Sequence, residues 1–195
     1  MIYVLIPTTP DRNKRLLETI ESIEKSVCNQ KFQILIDYNK YEGFVASVIR
    51  LVNSIDGLCM IVPNDVLLGA DAIQQCYNAY TKNFPDNDGL VGWADGKMEL
   101  EYMCFPFAHS RTLRELINPV YFHNFSDREW TEIMKARDRY HILTQPLCVH
   151  NHYSRNPELL DKTYQVNEDS SERDGKIYWD RFKHGFPKGI PEVCK

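Results

Sequence analysis

Several short polar clusters along this chain have residue types and spacing suited to chemistry. Asp65 lies in the run Pro63, Asn64, Asp65, Val66, directly after the apolar stretch from Leu58 to Val62. A carboxylate there can hold a hard divalent cation that also binds a diphosphate; an Asx turn into the next element uses the same residue equally well. Asp127 stands in Ser126, Asp127, Arg128, Glu129, just before an apolar-periodic run. A carboxylate fixed at a rigid helix start suits a general base. The same spacing also makes a capping box of Ser126 and Glu129, with Asp127 at the positive helix end. His150 and His152 are two apart at the close of an apolar run. On a strand both face one side, so both imidazoles can reach one metal ion or phosphate, or both can simply be exposed.

Pro7, Thr8, Thr9 and Arg12 follow the first apolar run. Hydroxyls and backbone amides near a helix start are a natural place for a nucleotide base or phosphate, although Thr8, Thr9 and Asp11 also serve as helix caps. Asp37 follows the second apolar run, where it suits a sugar hydroxyl, a base N–H or a turn. The chain has no Gly-x-Gly-x-x-Gly or Walker pattern, which counts against dinucleotide-binding and P-loop folds.

The elements that must position these residues alternate in the first half. Ile2–Ile6, Phe32–Ile36, Leu58–Val62 and Gly89–Trp93 read as strands. Between them, Leu16, Leu17, Ile20, Ile23 and Val27, then Val45, Val48, Ile49 and Val52, then Ile73, Cys76, Tyr77 and Tyr80 recur at helical spacing. This order implies an α/β fold with a mostly parallel central sheet and helices on both faces. Ligands of such sheets sit beyond the carboxyl ends of the strands, where these clusters fall. The second half is less regular. Tyr102–Ala108 reads as a strand, Arg111–Ile117 as a short helix, the segment from Ser126 as a longer helix, and Ile142–Val149 as a strand interrupted at Pro146. Residues 165–175 are polar enough to predict a mobile loop.

With 195 residues and 43% hydrophobic content, the chain is long enough for one domain with a buried core and short for two. Its net charge of −4 argues against nucleic acid as a partner. Six cysteines without metal or redox spacing read as reduced thiols of a cytoplasmic protein. No run approaches the roughly twenty apolar residues of a membrane span, which leaves association with a membrane surface open.

Taken in chain order, the clusters resemble those of GT-A glycosyltransferases, particularly the inverting family-2-like group. The resemblance covers Ile2 to about His152. The opening strand with Pro7, Thr8 and Arg12, the second strand ending in Asp37, and Asn64-Asp65 at the place of the Asp-x-Asp metal motif carry it. So do Asp127 in the block from Phe125 to Trp130, with Ala136, Arg137 and Tyr140 following, and His150 and His152 near a customary metal-binding histidine.

The resemblance implies one catalytic domain over 1–195, with a nucleotide-binding half at about 1–95, an acceptor half at about 96–155 and an extension at about 156–195. It implies a nucleotide diphosphate sugar as donor, UDP-linked above all, and a glycan or other hydroxyl as acceptor. Asp65 with His150 or His152 would hold Mn²⁺ or Mg²⁺. Pro7, Thr8, Thr9, Arg12, Asp37 and Asn64 would bind the nucleotide, and Asp127 would be the base of an inverting transfer. Gly92 to Asp95 and Phe105 to Phe107 would form the acceptor side. A nucleotidyltransferase and a non-catalytic nucleotide- or sugar-binding module are the competing readings.

Overall fold

The computed structural model describes residues 1–93, 103 and 105–187. Its first half follows the alternation of the sequence. Strand β1 (Ile2–Thr8) leads through a 3₁₀ turn at Pro10–Arg12 into α1 (Asn13–Glu24). Then come β2 (Phe32–Tyr38), α2 (Phe44–Asn53), β3 (Leu58–Ile61), the short β4 (Val66–Leu68), α3 (Ala72–Asn83) and β5 (Leu90–Trp93). The second half holds β6 (Phe105–His109), α4 (Ser110–Leu116), α5 (Ser126–Ala136), β7 (Tyr140–Leu143), β8 (Cys148–His150) and α6 (Lys162–Lys183).

Six strands form one sheet in the order β2-β1-β3-β6-β5-β7. Strand β1 runs parallel to β2 and β3, and β5 parallel to β7; β6 alone is antiparallel to its neighbours β3 and β5. The mostly parallel, helix-flanked sheet expected from the sequence is therefore the architecture found. Helix α2 lies over β1 and β2 and meets α4, and α3 lies over β5, β6 and β7. The main core runs from Val4, Leu5 and Ile6 in β1 to Trp93, Phe107 and Trp130, and a smaller apolar cluster joins Val45, Val120 and Tyr121 to Ile177 and Tyr178 of α6. Burying both faces of the central strands explains their unbroken apolar runs.

The sequence-based reading differs from the structure in three elements. The stretch from Ile142 to Val149 is two strands in two sheets: β7 joins the main sheet and β8 pairs antiparallel with β4. Pro146 lies in the break, consistent with its lack of a ladder donor. Residues 165–175 are helical, inside α6, and not a loop. That helix buries Thr163, Tyr164, Asp174, Ile177, Tyr178 and Arg181. Polar residues supply half of the buried set, which hid the helix from a search for apolar periodicity. Asp161 caps it by accepting from the Tyr164 amide at 3.0 Å. The third difference is the capping box of α5, which does not form. Phe125 is the N-cap, in the left-handed region at φ 67°, without a side-chain cap. The Ser126 hydroxyl turns back to the His123 carbonyl, and Glu129 is drawn to Arg181 instead. The stretch from Ala94 to Tyr102 lies outside the described residues, so Ala94 and Asp95 of the acceptor-side expectation are not placed, while Gly92 and Trp93 lie in β5 and Phe105 to Phe107 in β6, with Phe105 on the cavity described below.

Candidate active site

The carboxyl ends of β1 and β3, the start of α5, strand β8 and the first turns of α6 enclose one cavity of about 200 Å³. Pro7, Thr8, Thr9, Arg12, Asn64, Asp65, Asp127, His150 and His152 all line it. Asp37 does not. Its carboxylate accepts from Ser47 Oγ at 2.6 Å and is ion-paired with Arg50 at 2.7 Å, which ties the end of β2 to α2.

On the β1 side the threonines do not cap a helix. Thr8 Oγ1 accepts from Asn64 Nδ2 at 2.6 Å, and the Thr9 and Thr163 hydroxyls meet at 2.6 Å. Asn64 therefore joins β1 to the loop after β3 rather than facing solvent. Arg12 is buried below. It donates to Asn64 Oδ1, grips Asp161 with two nitrogens and lies 3.9 Å over the Tyr164 ring. Burial disfavours its charge, but the hydrogen bonds to Asp161 and the nearby Asp65 outweigh that and raise it further.

Asp65 is the buried acid at the centre, 5% exposed. The Tyr164 hydroxyl donates to its Oδ2 at 2.5 Å, and Arg12 Nη1 lies 3.6 Å from the same oxygen. His150 Nε2 lies 3.6 Å from Oδ1, an electrostatic contact longer than a hydrogen bond. Among the described residues Oδ1 is buried with no hydrogen-bond partner. Burial alone would raise this carboxyl, yet His150, Arg12 and Tyr164 hold it well below the usual carboxylate range. It is ionised throughout the physiological range.

His150 is placed by β8 opposite Val66, and its ring packs edge-on against Phe105. His152 lies beyond the end of β8. The two rings are 5.2 Å apart, and His152 Nδ1 is within 2.8 Å of Ser154 Oγ. Of the two, His150 is the one in direct contact with Asp65.

At the other end of the cavity Asp127 occupies the first turn of α5. Its Oδ1 accepts from the Arg128 amide at 2.9 Å. Burial nonetheless pushes its carboxyl up to about 6, against the opposing pull of that amide and the Arg128 charge. The cavity thus joins an acid held ionised to one whose proton exchanges near neutrality. That pairing of environments marks acid–base sites.

No protein-family model matches the chain, and no curated protein matches it in sequence. Solved structures do match. The mannosyltransferase PcManGT from Pyrobaculum calidifontis, in complex with GDP-Man and Mn²⁺, has a TM-score of 0.58 at 12% identity, over 80% of this chain and 58% of that one. S. aureus TarS 1-349 gives 0.58 at 10% identity, over 99% and 76% of the two chains. The galactosyltransferase LgtC, in complex with donor and acceptor sugar analogues, gives 0.51 at 10%, over 98% of both. The chain has the GT-A glycosyltransferase fold. Identities this low carry the fold and no more. The chain spans 58% of the PcManGT structure and 38% of the longer TarS structure.

Within the GT-A frame the sequence pointed to the loop after β3, the start of α5 and the end of β8. It missed the residues that close the cavity. Tyr164, Thr163 and Asn167 come from α6, whose helical character the polar sequence concealed. His123 and Asn124 come from the turn before α5; the aromatic run from Tyr121 to Phe125 just ahead of a helix start is the signal that could have found them.

Proposed function

We propose that this chain is the catalytic domain of a glycosyltransferase that moves a sugar from a nucleotide diphosphate sugar, UDP-linked above all, to the hydroxyl of a glycan or similar acceptor. The observation that carries this reading is the juxtaposition, on one cavity of a GT-A fold, of ionised Asp65 with His150 and of Asp127 with its raised carboxyl. Pro7, Thr8, Thr9 and Asn64 supply the wall against which the nucleotide lies. Arg12 supports that wall from beneath through Asn64.

The residues fit a divalent cation, Mn²⁺ or Mg²⁺. Asp65 Oδ1 is an orphaned buried anion with His150 Nε2 3.6 Å away. No group of three or more His, Cys, Asp or Glu side chains able to hold a metal occurs among the described residues. Such ions are commonly held by one or two protein ligands plus substrate phosphates and water, so Asp65 and His150 suffice when a diphosphate is present. The ion, once bound, neutralises charge on the departing diphosphate. His152 sits beside His150 and is the reserve ligand.

Asp127 does the proton work. Its carboxylate accepts the proton of the acceptor hydroxyl as that oxygen bonds to the anomeric carbon. The bond from that carbon to the diphosphate oxygen breaks, and the electron pair leaves with the nucleoside diphosphate. A single displacement inverts the anomeric centre. The first turn of α5 fixes the base, so the enzyme and not the solvent chooses the direction of attack.

The same reading makes 1–195 one catalytic domain. It places the protein in the cytoplasm, in keeping with free thiols at Cys28, Cys59 and Cys76. Among the described residues no helix is long and apolar enough to cross a membrane.

A screen of nucleotide sugars with Mn²⁺, reading release of free nucleoside diphosphate, tests the proposal. Release of UDP from one UDP-sugar is expected. Release of pyrophosphate would point to a nucleotidyltransferase instead, and nucleotide binding without any turnover would point to a binding module.

A further inference from the structure

The turn before α5 is held in an unusual way. Asp174, on α6, is fully buried. Its carboxylate accepts from three successive backbone amides: Phe122 at 3.1 Å, His123 at 2.8 Å and Asn124 at 2.9 Å. The next residue, Phe125, is in the left-handed region and stacks on Tyr178 of α6. A non-glycine residue in that conformation persists when its surroundings over-determine it. The chain spends a buried charge to fix residues 122–125, and the side chain it places on the cavity is His123.

His123 takes no part in holding the cation, in the nucleotide wall or in the base. Its ring lines the same cavity as Asp65 and Asp127. Phe44 packs edge-on against it at 5.5 Å, which sets the ring plane. Nε2 faces the side-chain nitrogen of Asn167 at 3.4 Å. Nδ1 is buried and has no hydrogen-bond partner among the described residues. Burial keeps the imidazole neutral, pushed down to about 4 despite the attraction of Asp65. With Nε2 accepting from Asn167, Nδ1 carries the proton, so a buried donor is left waiting for an oxygen. Buried donors are rarely left unpaired, and a ligand is a common reason for an exception.

We propose that His123 is a sugar-contacting residue, its Nδ1–H donating to a hydroxyl oxygen of the transferred sugar, with Asp174 as the positioning residue that holds it. The inference rests on the transferase reading above. A neutral donor suits a sugar hydroxyl better than a diphosphate. His123 lies four positions before the base and within the electrostatic reach of Asp65. The transferred sugar must also lie between those two acids. Contact is therefore made with the sugar and not with the nucleotide.

Calorimetric titration of the full chain with Mn²⁺ separates these. UDP is compared with UDP-glucose, and GDP with GDP-mannose, in wild type and variants. His123→Phe keeps the ring and loses the N–H. It should leave the nucleoside diphosphate Kd unchanged and weaken the matching nucleotide sugar about tenfold, the order expected for one hydrogen bond. His123→Asn, whose amide nitrogen falls near the place of Nδ1, should recover most of that loss. It also serves as the test if the Phe variant does not fold. Asp174→Asn should show the same selective loss of sugar affinity. Equal weakening of nucleotide and nucleotide sugar, or none of either, overturns the role of His123. Absence of any nucleotide binding by the wild type overturns the transferase reading along with it.

Discussion

Burial pushes the Asp127 carboxyl up to about 6, so activity and stability should run in opposite directions with pH. In the proposed role of base Asp127 works deprotonated, and kcat/KM should rise with pH through about 6 and level off above it. An unfolded aspartate titrates near about 3.9. Between about 4 and 6 the folded chain therefore binds more protons at this residue than the unfolded chain, and this residue's contribution to stability falls as pH rises through that window. Asp127→Asn removes the penalty. It should raise stability at pH 7.5 by on the order of 1–2 kcal/mol, read by urea denaturation, with little change at pH 4. A variant less stable than wild type at pH 7.5 would mean that the carboxylate makes a structural bond. At this scale the sequence pointed to Asp65, Asp127 and His150, which line one cavity, because acids and histidines that close strands or open helices are visible as such. It was silent on Tyr164 and His123, whose place on the cavity is set by partners far away in sequence.

At the scale of elements, α6 brings the two ends of the site together. Its first turn covers Asp65 through Tyr164, its middle gathers the turn 122–124 through Asp174, and its last turns anchor α5. There Arg181 Nε and Nη2 reach the Glu129 carboxylate at 2.7 and 2.8 Å, and the Tyr121 hydroxyl donates to the same group at 2.6 Å. Arg181 and Glu129 are 2% and 1% exposed. Breaking a buried pair leaves an uncompensated charge. Arg181→Met should therefore cost about 3–5 kcal/mol, read as a fall in the urea midpoint, and replacing Glu129 by Met as well should restore much of it. Additive losses in the double variant would contradict the account of the pair. The alternating strands and helices of the first half were legible because apolar runs and helical stripes are local signals. Helix α6 was not, since a face of Asp174 and Arg181 looks solvent-exposed until its partners on other elements are known.

Across the whole molecule, the proposed function makes cation and nucleotide depend on each other. Asp65 and His150 bring too few donors to hold a divalent ion well alone, and a diphosphate completes the set. Linkage then requires that Mn²⁺ tighten nucleotide binding and that nucleotide tighten Mn²⁺ binding by the same factor. In a thermal-shift titration, nucleotide at about 100 times its Kd should stabilise the chain by roughly 2.7 kcal/mol. The Mn²⁺-dependent part of that gain should vanish in Asp65→Ala. Equal nucleotide stabilisation with Mn²⁺ and with a chelator, in the wild type, would remove Asp65 and His150 from the role of metal ligands. The architecture itself was readable from the order of strands and helices. The reversal of β6 and the second small sheet of β4 and β8 were not, because strand direction and pairing are set by contacts between distant segments.

Turnover by Asp127→Asn, beside its nucleotide affinity, tests the central claim most directly. The substitution keeps the size and place of the side chain and removes the proton acceptor. With the donor identified by the screen and Mn²⁺ present, transfer should fall about 10²–10⁴-fold while the nucleotide Kd stays at the wild-type value. Near-normal transfer by the variant would contradict the assignment of Asp127 as the base of this site.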